Sequence, residues 1–360
     1  MHSDEGDDAD DDDSPLPSTP RFAADLVDIE LRDVELRHPP FREVSLANVN
    51  LRIGQGRVVA VVGAPSSGKA TLLRLIANVL LPSRGVVFTP PHLTVIHVEQ
   101  QPQLMQMTLA ENLWLGRRAA LDASAIERVC AVCAAVGLPE TMQGSIRSVF
   151  ETSSKRGAAL LPDHDWRTAL DLAKAREVDH LELDDVGHLP TTQATLVHLA
   201  RSLIASPEVL VLHRPLALLD EAISKRVLGV LRTFVRERGL ALDPAMRPSR
   251  RLRTVVFSCR SLEQALEVAD DVVVAGLPHG GVTMFSADEL NNDPELRATV
   301  VRRISHHDPD LRQSAVGEMS PASGVGADTD ATSPMSPSSS YSPSPGVVKF
   351  AGGSPSLVQV

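Results

Sequence analysis

A short apolar strand at residues 58–62 runs straight into Gly63-Ala64-Pro65-Ser66-Ser67-Gly68-Lys69-Ala70-Thr71, and a helical pattern starts directly behind it. No other feature of the sequence constrains the fold as much. In G-x-x-x-x-G-K the glycines permit a tight backbone path, and the loop amides turn inward toward phosphate oxygens. The start of the helix adds positive potential, and Lys69 supplies a compact cation for terminal phosphates. Such a loop needs a strand before it and a sheet around that strand. Strand signals recur at 26–36, 58–62, 93–98, 209–212, 254–258 and 271–274. Helical periodicity follows Lys69 through Leu72, Leu73, Leu75, Ile76 and Leu80, and returns at 123–136 and 191–204. The alternation predicts an α/β fold with a largely parallel sheet, interrupted between 108 and 185 by a mainly helical insertion.

One position of the loop departs from the motif. A hydroxyl should follow the lysine to ligate Mg²⁺, and Ala70 has none, although Thr71 keeps one a residue later. The loop is therefore expected to hold phosphate while its metal contact is lost.

Charge and composition set the limits of the folded part. The formal charge is −11, but eight acids crowd into residues 4–13, so the remainder is nearly neutral. That balance argues against generic electrostatic binding to nucleic acid. Residues 1–25 are predicted to be a disordered acidic tail, and 306–360, rich in Ser and Pro, a second disordered tail. Six Ser-Pro pairs, at Ser320, Ser333, Ser336, Ser342, Ser344 and Ser354, fit either proline-directed phosphorylation or a plain solvated tail. The acidic end fits either a docking segment for a basic partner or simple solvation. Three cysteines suit a reducing, intracellular compartment, and no secretory signal is read at the N-terminus. The longest apolar stretch, 72–81, is interrupted by Arg74 and Asn78 and is too short to cross a bilayer. Cys130 and Cys133 form C-x-x-C on a helical pattern, read either as packed helix cysteines or as part of a metal or redox site. The cluster His306-His307-Asp308 is read as solvated.

With these motifs in order, residues 28–303 resemble the nucleotide-binding domain of ABC transporters, exporter-type members in particular. Ile53-Gly54-Gln55-Gly56 is similar to the turn before the phosphate strand, and Gln100-Gln101-Pro102 looks like the Q-loop, with Gln100 at the glutamine position. Thr108-Leu109-Ala110-Glu111-Asn112-Leu113 resembles the segment that follows it. Leu199-Ala200-Arg201-Ser202-Leu203, Pro207 and Val209-Leu210-Val211-Leu212 resemble the helix and strand leading to Walker B. Pro215 and Leu219-Asp220 fall at the two ends of the D-loop. The resemblance implies a P-loop NTPase with a RecA-like core over 26–305 and a helical subdomain at about 104–194. The nucleotide would be ATP, held by His38, Gly63 to Thr71 and Gln100. Its partners would be a second cassette paired head to tail and transmembrane domains on another chain, at the cytoplasmic face of a membrane.

The departures from the family fall on its chemistry. His213 and Arg214 stand where Walker B has Asp-Glu, Cys259 stands for the switch histidine, and His38 for the adenine-stacking aromatic. Neutral His is a poor ligand for Mg²⁺, and Arg cannot act as a general base. The signature reads Leu189-Pro190-Thr191-Thr192-Gln193, without the serine and both glycines. Both composite sites of a pair would be compromised, so weak or absent hydrolysis is expected, with any turnover on the partner's Walker motifs. Three readings follow: an ATP-binding transport subunit that hydrolyses poorly, a nucleotide-free scaffold, and a working ATPase with Asp220 or Glu221 as a displaced acid. Exchange of two acids for two potential cations also suggests that Arg214, with His213 when protonated, replaces part of the metal's charge. Plain loss in a pseudoenzyme is the competing explanation.

Overall fold

The computed structural model describes residues 26–38, 43–115, 123–155, 189–277 and 280–305. Both predicted tails, and residues 116–122 and 156–188 of the predicted helical subdomain, lie outside the described residues. Strands β1 (Ile29–His38), β2 (Glu43–Ile53) and β4 (Arg84–Phe88) form an antiparallel sheet in the order β2-β1-β4. A second sheet takes the order β5-β6-β7-β3-β8-β9, from β3 (Val58–Val62), β5 (Val95–Val98), β6 (Val209–Leu212), β7 (Thr254–Ser258), β8 (Asp271–Leu277) and β9 (Gly281–Ser286). All of its strands run parallel except β9, which turns back on β8. This is the predicted α/β architecture.

The central strands are apolar throughout because both faces of this sheet are covered. Val58, Ala60 and Val62 of β3 face one core with Leu210, Leu212 and Phe257, while Val59 and Val61 face the other with Val209 and Val211. Full burial of one such Val or Leu is worth about 1.5–3 kcal/mol. The first core takes in α2 (Leu109–Trp114), α3 (Ala123–Val136), α5 (Thr191–Ala205) and α6 (Glu221–Arg236). The second takes in α1 (Lys69–Ile76) and the inner faces of β1 and β2. Helix α4 (Glu140–Lys155) follows α3, and α7 (Leu262–Leu266), α8 (Ala287–Asn292) and α9 (Pro294–Ser305) close the described chain, after a single 3₁₀ turn at Pro244–Met246.

Several expectations shift. The helix behind Lys69 stops at Ile76 and leaves Leu80 outside, because Asn78 adopts a left-handed backbone with φ 56°. Strand β1 starts at Ile29 rather than 26, β5 at Val95 rather than 93, and β8 runs on to Leu277. Strands β2, β4 and β9 are additions. Cys130 and Cys133 are free and buried in the first core, and burial pushes the Cys133 thiol up to about 12, as packed helix cysteines would show.

The helical side is held by side chains the sequence motif contains. Thr108 and Glu111 form a reciprocal capping box at the start of α2. Fully buried Asn112 donates to the carbonyls of Met105 (3.0 Å), Met107 (3.1 Å) and Thr108 (3.2 Å), and accepts from the amide of Met105 at 2.9 Å. From α5, Arg201 donates to the Gln103 carbonyl at 2.7 Å. The strap after Gln100 is thus tied to both helices.

Candidate nucleotide-binding site

The phosphate loop leaves β3 and enters α1 with a geometry that its glycines make possible. Gly68 has φ 84°, and a Cβ there would come within 2.8 Å of Leu46 Cδ2 and 2.9 Å of the Ser45 carbonyl. A Cβ on Gly63 would meet Ser67 Oγ at 2.6 Å and collide with the Ala275 carbonyl. No side chain caps the N-terminus of α1, so its first-turn amides remain available to an anion. Lys69 Nζ donates to the carbonyls of Gly63 (2.7 Å) and Ala64 (2.6 Å) and to Ser67 Oγ (3.2 Å). Burial, and then the nearby Arg214, lower its pKa to about 8.

The loop opens into a cavity of about 770 Å³. Its wall contains Gly63, residues 65–71, His213, Arg214 and Cys259, so the residues that follow β6 and β7 meet the phosphate loop in one cavity. Ser45, Arg260 and Ile304 complete it. Parallel pairing explains the convergence: β6, β7 and β3 are neighbours, so their carboxyl ends open at one edge of the sheet.

The remaining predicted residues lie elsewhere. Gln100 follows β5 but does not line the cavity, and Ala64 contributes through its carbonyl to Lys69. His38 ends β1, its backbone paired with Glu43. Leu189 and Pro190 lead into α5, and Thr191, Thr192 and Gln193 form its first turn, away from the cavity wall. Asp220 caps α6 by accepting from the Ile223 amide at 2.8 Å, while Glu221 pairs with Lys225 at 2.8 Å. Neither acid lines the cavity.

Glu99 was not singled out in the sequence, yet it is the group that His213 faces. Its carboxylate takes Arg74 at 2.8 Å and lies 3.3 Å from His213 Nδ1. Burial alone would raise the Glu99 pKa, but the bond from Arg74 and the charge of His97 bring it down. Burial lowers that of His213 despite the neighbouring Glu99. His213 therefore faces Glu99 rather than standing as a free cation. Arg214 has a left-handed backbone with φ 50°, and its amide donates to Ser258 Oγ at 2.9 Å. Cys259 is buried, with its thiol pushed up to about 12 by burial, and Sγ donates to the Ser261 carbonyl at 3.4 Å.

The site fits a polyphosphate and does not fit Mg²⁺. Loop amides, Lys69 and the glycine cradle suit phosphate oxygens. No Asp or Glu among the described residues lines the cavity, and the Thr71 hydroxyl accepts from Ser45 Oγ at 3.1 Å. Only neutral hydroxyls and carbonyls remain for a hard dication that prefers carboxylate. Among the described residues there is also no group of three or more His, Cys, Asp or Glu placed to hold a metal.

A parallel sheet with a glycine-lysine loop at its carboxyl edge defines a P-loop nucleotide-binding fold. Residues 46–223 match the family model described as ABC transporter. The chain is 28% identical over 292 residues to the energy-coupling factor transporter ATP-binding protein EcfA2 of Latilactobacillus sakei, covering 75% of this chain and 82% of that protein. It is 28% identical over 277 residues to the sulfate/thiosulfate import ATP-binding protein CysA of Mesorhizobium japonicum, covering 74% of this chain and 66% of that one. Among solved structures, the dimeric post-hydrolysis state of the ATP-binding cassette MJ0796 with ADP and Pi shares the fold, with a TM-score of 0.52 and 19% identity over 72% of this chain and 98% of that chain. The chain belongs to the ATP-binding cassettes of the ABC transporter family.

Proposed function

We propose that this cassette is the nucleotide-binding part of a membrane transporter, one that holds ATP but hydrolyses it weakly or not at all. The observation that carries this reading is an intact phosphate cradle facing a wall without a carboxylate. Lys69 and the loop amides would orient the phosphates. Arg214 stays protonated and Cys259 is a buried neutral thiol, so neither can take a proton from water, and no carboxylate lines the wall to do so; His213 has its Nδ1 side engaged by Glu99. Lack of a positioned carboxylate base costs about 10²–10⁴-fold in rate. Displaced catalysis by Asp220 or Glu221 is disfavoured, since each is engaged on α6 outside the cavity.

The functional unit proposed is residues 26–305, with a helical subdomain at about 104–194 between two tails. No helix among the described residues is long and apolar enough to cross a membrane. Coupling would pass to transmembrane domains on another chain, at the cytoplasmic face of a membrane, as in the transporters its relatives serve. A second cassette would pair head to tail, and Leu189 to Gln193 and Asp220 would face it. The relatives named as import ATP-binding proteins support this reading. The strap after Gln100 supports it too, because Asn112 and Arg201 fix it to the helices on which such a partner would press.

The test is ATP binding and phosphate release by the full chain, with Lys69→Ala as reference. Saturable binding without release above the reference is expected. Steady release that Lys69→Ala abolishes would overturn the non-hydrolysing reading, and no binding at all would favour a nucleotide-free scaffold.

A further inference from the structure

The groups standing where a metal would be coordinated carry charge of the metal's own sign. Lys69 after β3, Arg214 after β6 and Arg260 after β7 reach one cavity from the ends of three neighbouring strands. Among the described residues no carboxylate pairs with any of these three, and none lines the wall. Nearby guanidinium groups are treated differently: Arg57 pairs with Asp271 at 2.8 Å, Arg74 with Glu99 at 2.8 Å, and Arg253 with Glu208. The cavity gathers three cations that no carboxylate offsets among the described residues.

Arg214 is also held in a left-handed backbone state that is unfavourable for a residue with a Cβ. The bond from its amide to Ser258 Oγ at 2.9 Å fixes that turn, and Pro215 is buried behind it. The three charges sense one another: Arg214 depresses the lysine, and Arg260 depresses Arg214, in each case after burial. Lys69 and Arg214 are half-buried with the exposed Arg260 beside them, and like charges so placed are unfavourable until an anion joins them. A guanidinium offers a planar fork of donors that fits phosphate oxygens, and it cannot be deprotonated at ordinary pH.

We propose that this cassette takes its nucleoside triphosphate as the metal-free anion, with Arg214 and Arg260 supplying the counter-charge that a divalent cation would otherwise bring. The proposal rests on the reading of the cavity as a triphosphate site. It goes beyond that reading in naming the ionic form bound and the residues that select it. His213, which the sequence offered as a second substitute charge, is not part of the selecting set, because Glu99 faces it at 3.3 Å. A metal complex of the nucleotide would gain nothing here, since it arrives with less negative charge and sets its cation beside two guanidinium groups.

The experiment is calorimetric titration of ATP into the full chain, in EDTA and in excess Mg²⁺. It compares wild type, Arg214→Gln with Arg260→Gln, and Arg214→Lys with Arg260→Lys, each checked for an unchanged melting temperature. Wild type is expected to bind at least as tightly in EDTA as in Mg²⁺. The glutamine pair should lose about tenfold or more in EDTA, as charged hydrogen bonds of about 1.5–3 kcal/mol imply, and the lysine pair should recover part of that loss. Tightening by Mg²⁺ of more than threefold, or a glutamine pair that binds in EDTA like wild type, would overturn the proposal while leaving the triphosphate site standing. No binding in either buffer would sink the triphosphate reading itself. Should the glutamine pair fail to fold, the wild-type comparison of EDTA with Mg²⁺ and the lysine pair still decide.

Discussion

The carboxyl ends of β3 and β6 open into the same cavity with only β7 between them, yet they hold different fractions of the family's chemistry. At β3 the phosphate loop keeps its glycines, its free helix amides and Lys69. At β6 the two positions read from the sequence as metal ligand and base hold His213 and Arg214. Phosphate cradling is built from backbone, and the backbone is dictated by packing: Gly68 lies against Leu46 and Ser45 of β2, so the loop is part of how the two sheets meet. Metal binding and proton transfer depend on side chains that hang into solvent beyond the strand. Leu212 must be buried for the sheet to form, whereas residues 213 and 214 need not be acids for that purpose.

Gly68→Val should produce the largest effect. A branched side chain at φ 84°, against atoms 2.8 and 2.9 Å from its Cβ, should abolish ATP binding and lower the melting temperature together. A loss of binding with unchanged stability would show that the loop is not part of the sheet contact. Asn112→Ala separates the strap from the loop. Removal of a buried amide that makes four hydrogen bonds to backbone should cost about 2–4 kcal/mol in urea unfolding, while ATP affinity at the cavity stays within threefold.

A pH experiment comes next in size. Burial, with Arg201 beside it, lowers the pKa of His198 to about 4. The unfolded chain, with an ordinary histidine near 6.5, then binds more protons than the folded one between the two values. Stability is therefore full above about pH 6.5 and falls as pH drops toward 4. Unfolding free energies at pH 7 and 4.5 should differ by about 2 kcal/mol less in His198→Gln than in wild type. Equal differences would mean that groups other than His198 carry the acid sensitivity. The smallest effect is expected from Ala70→Ser, which restores the hydroxyl the motif lacks. Without an acid at 213, Mg²⁺ should change ATP affinity by less than threefold in this variant, and a larger gain would show that the hydroxyl alone rebuilds the metal site.

The central sheet was legible because β3, β6 and β7 are buried on both faces and read as continuous apolar runs. Strands β2, β4 and β9 were not, for a physical reason. β2 places Ser45, Asn48, Asn50 and Arg52 among its apolar residues, and β4 exposes Val86 and Phe88 at a sheet edge. Ser45 was missed with its strand, although it lines the cavity. Positions 213, 214 and 259 could be placed beside the phosphate loop from motif order alone, since parallel strands bring their ends together. Glu99 and Arg260 could not, because their roles depend on strand order: β5 beside β6 sets Glu99 against His213, and β7 between β6 and β3 carries Arg260 to the cavity. The ties from Arg201 and His198 to Gln103 are likewise visible only once α5 is packed.

Amide hydrogen exchange of the full chain with ATP in EDTA tests most directly whether one metal-free phosphate site is shared by these strand ends. The expected result is new protection at residues 63–71, accompanied by protection around 213–214 and 259–260, and none of it in Lys69→Ala. Protection that appears only when Mg²⁺ is added, or that spares 213–214 and 259–260, would contradict it.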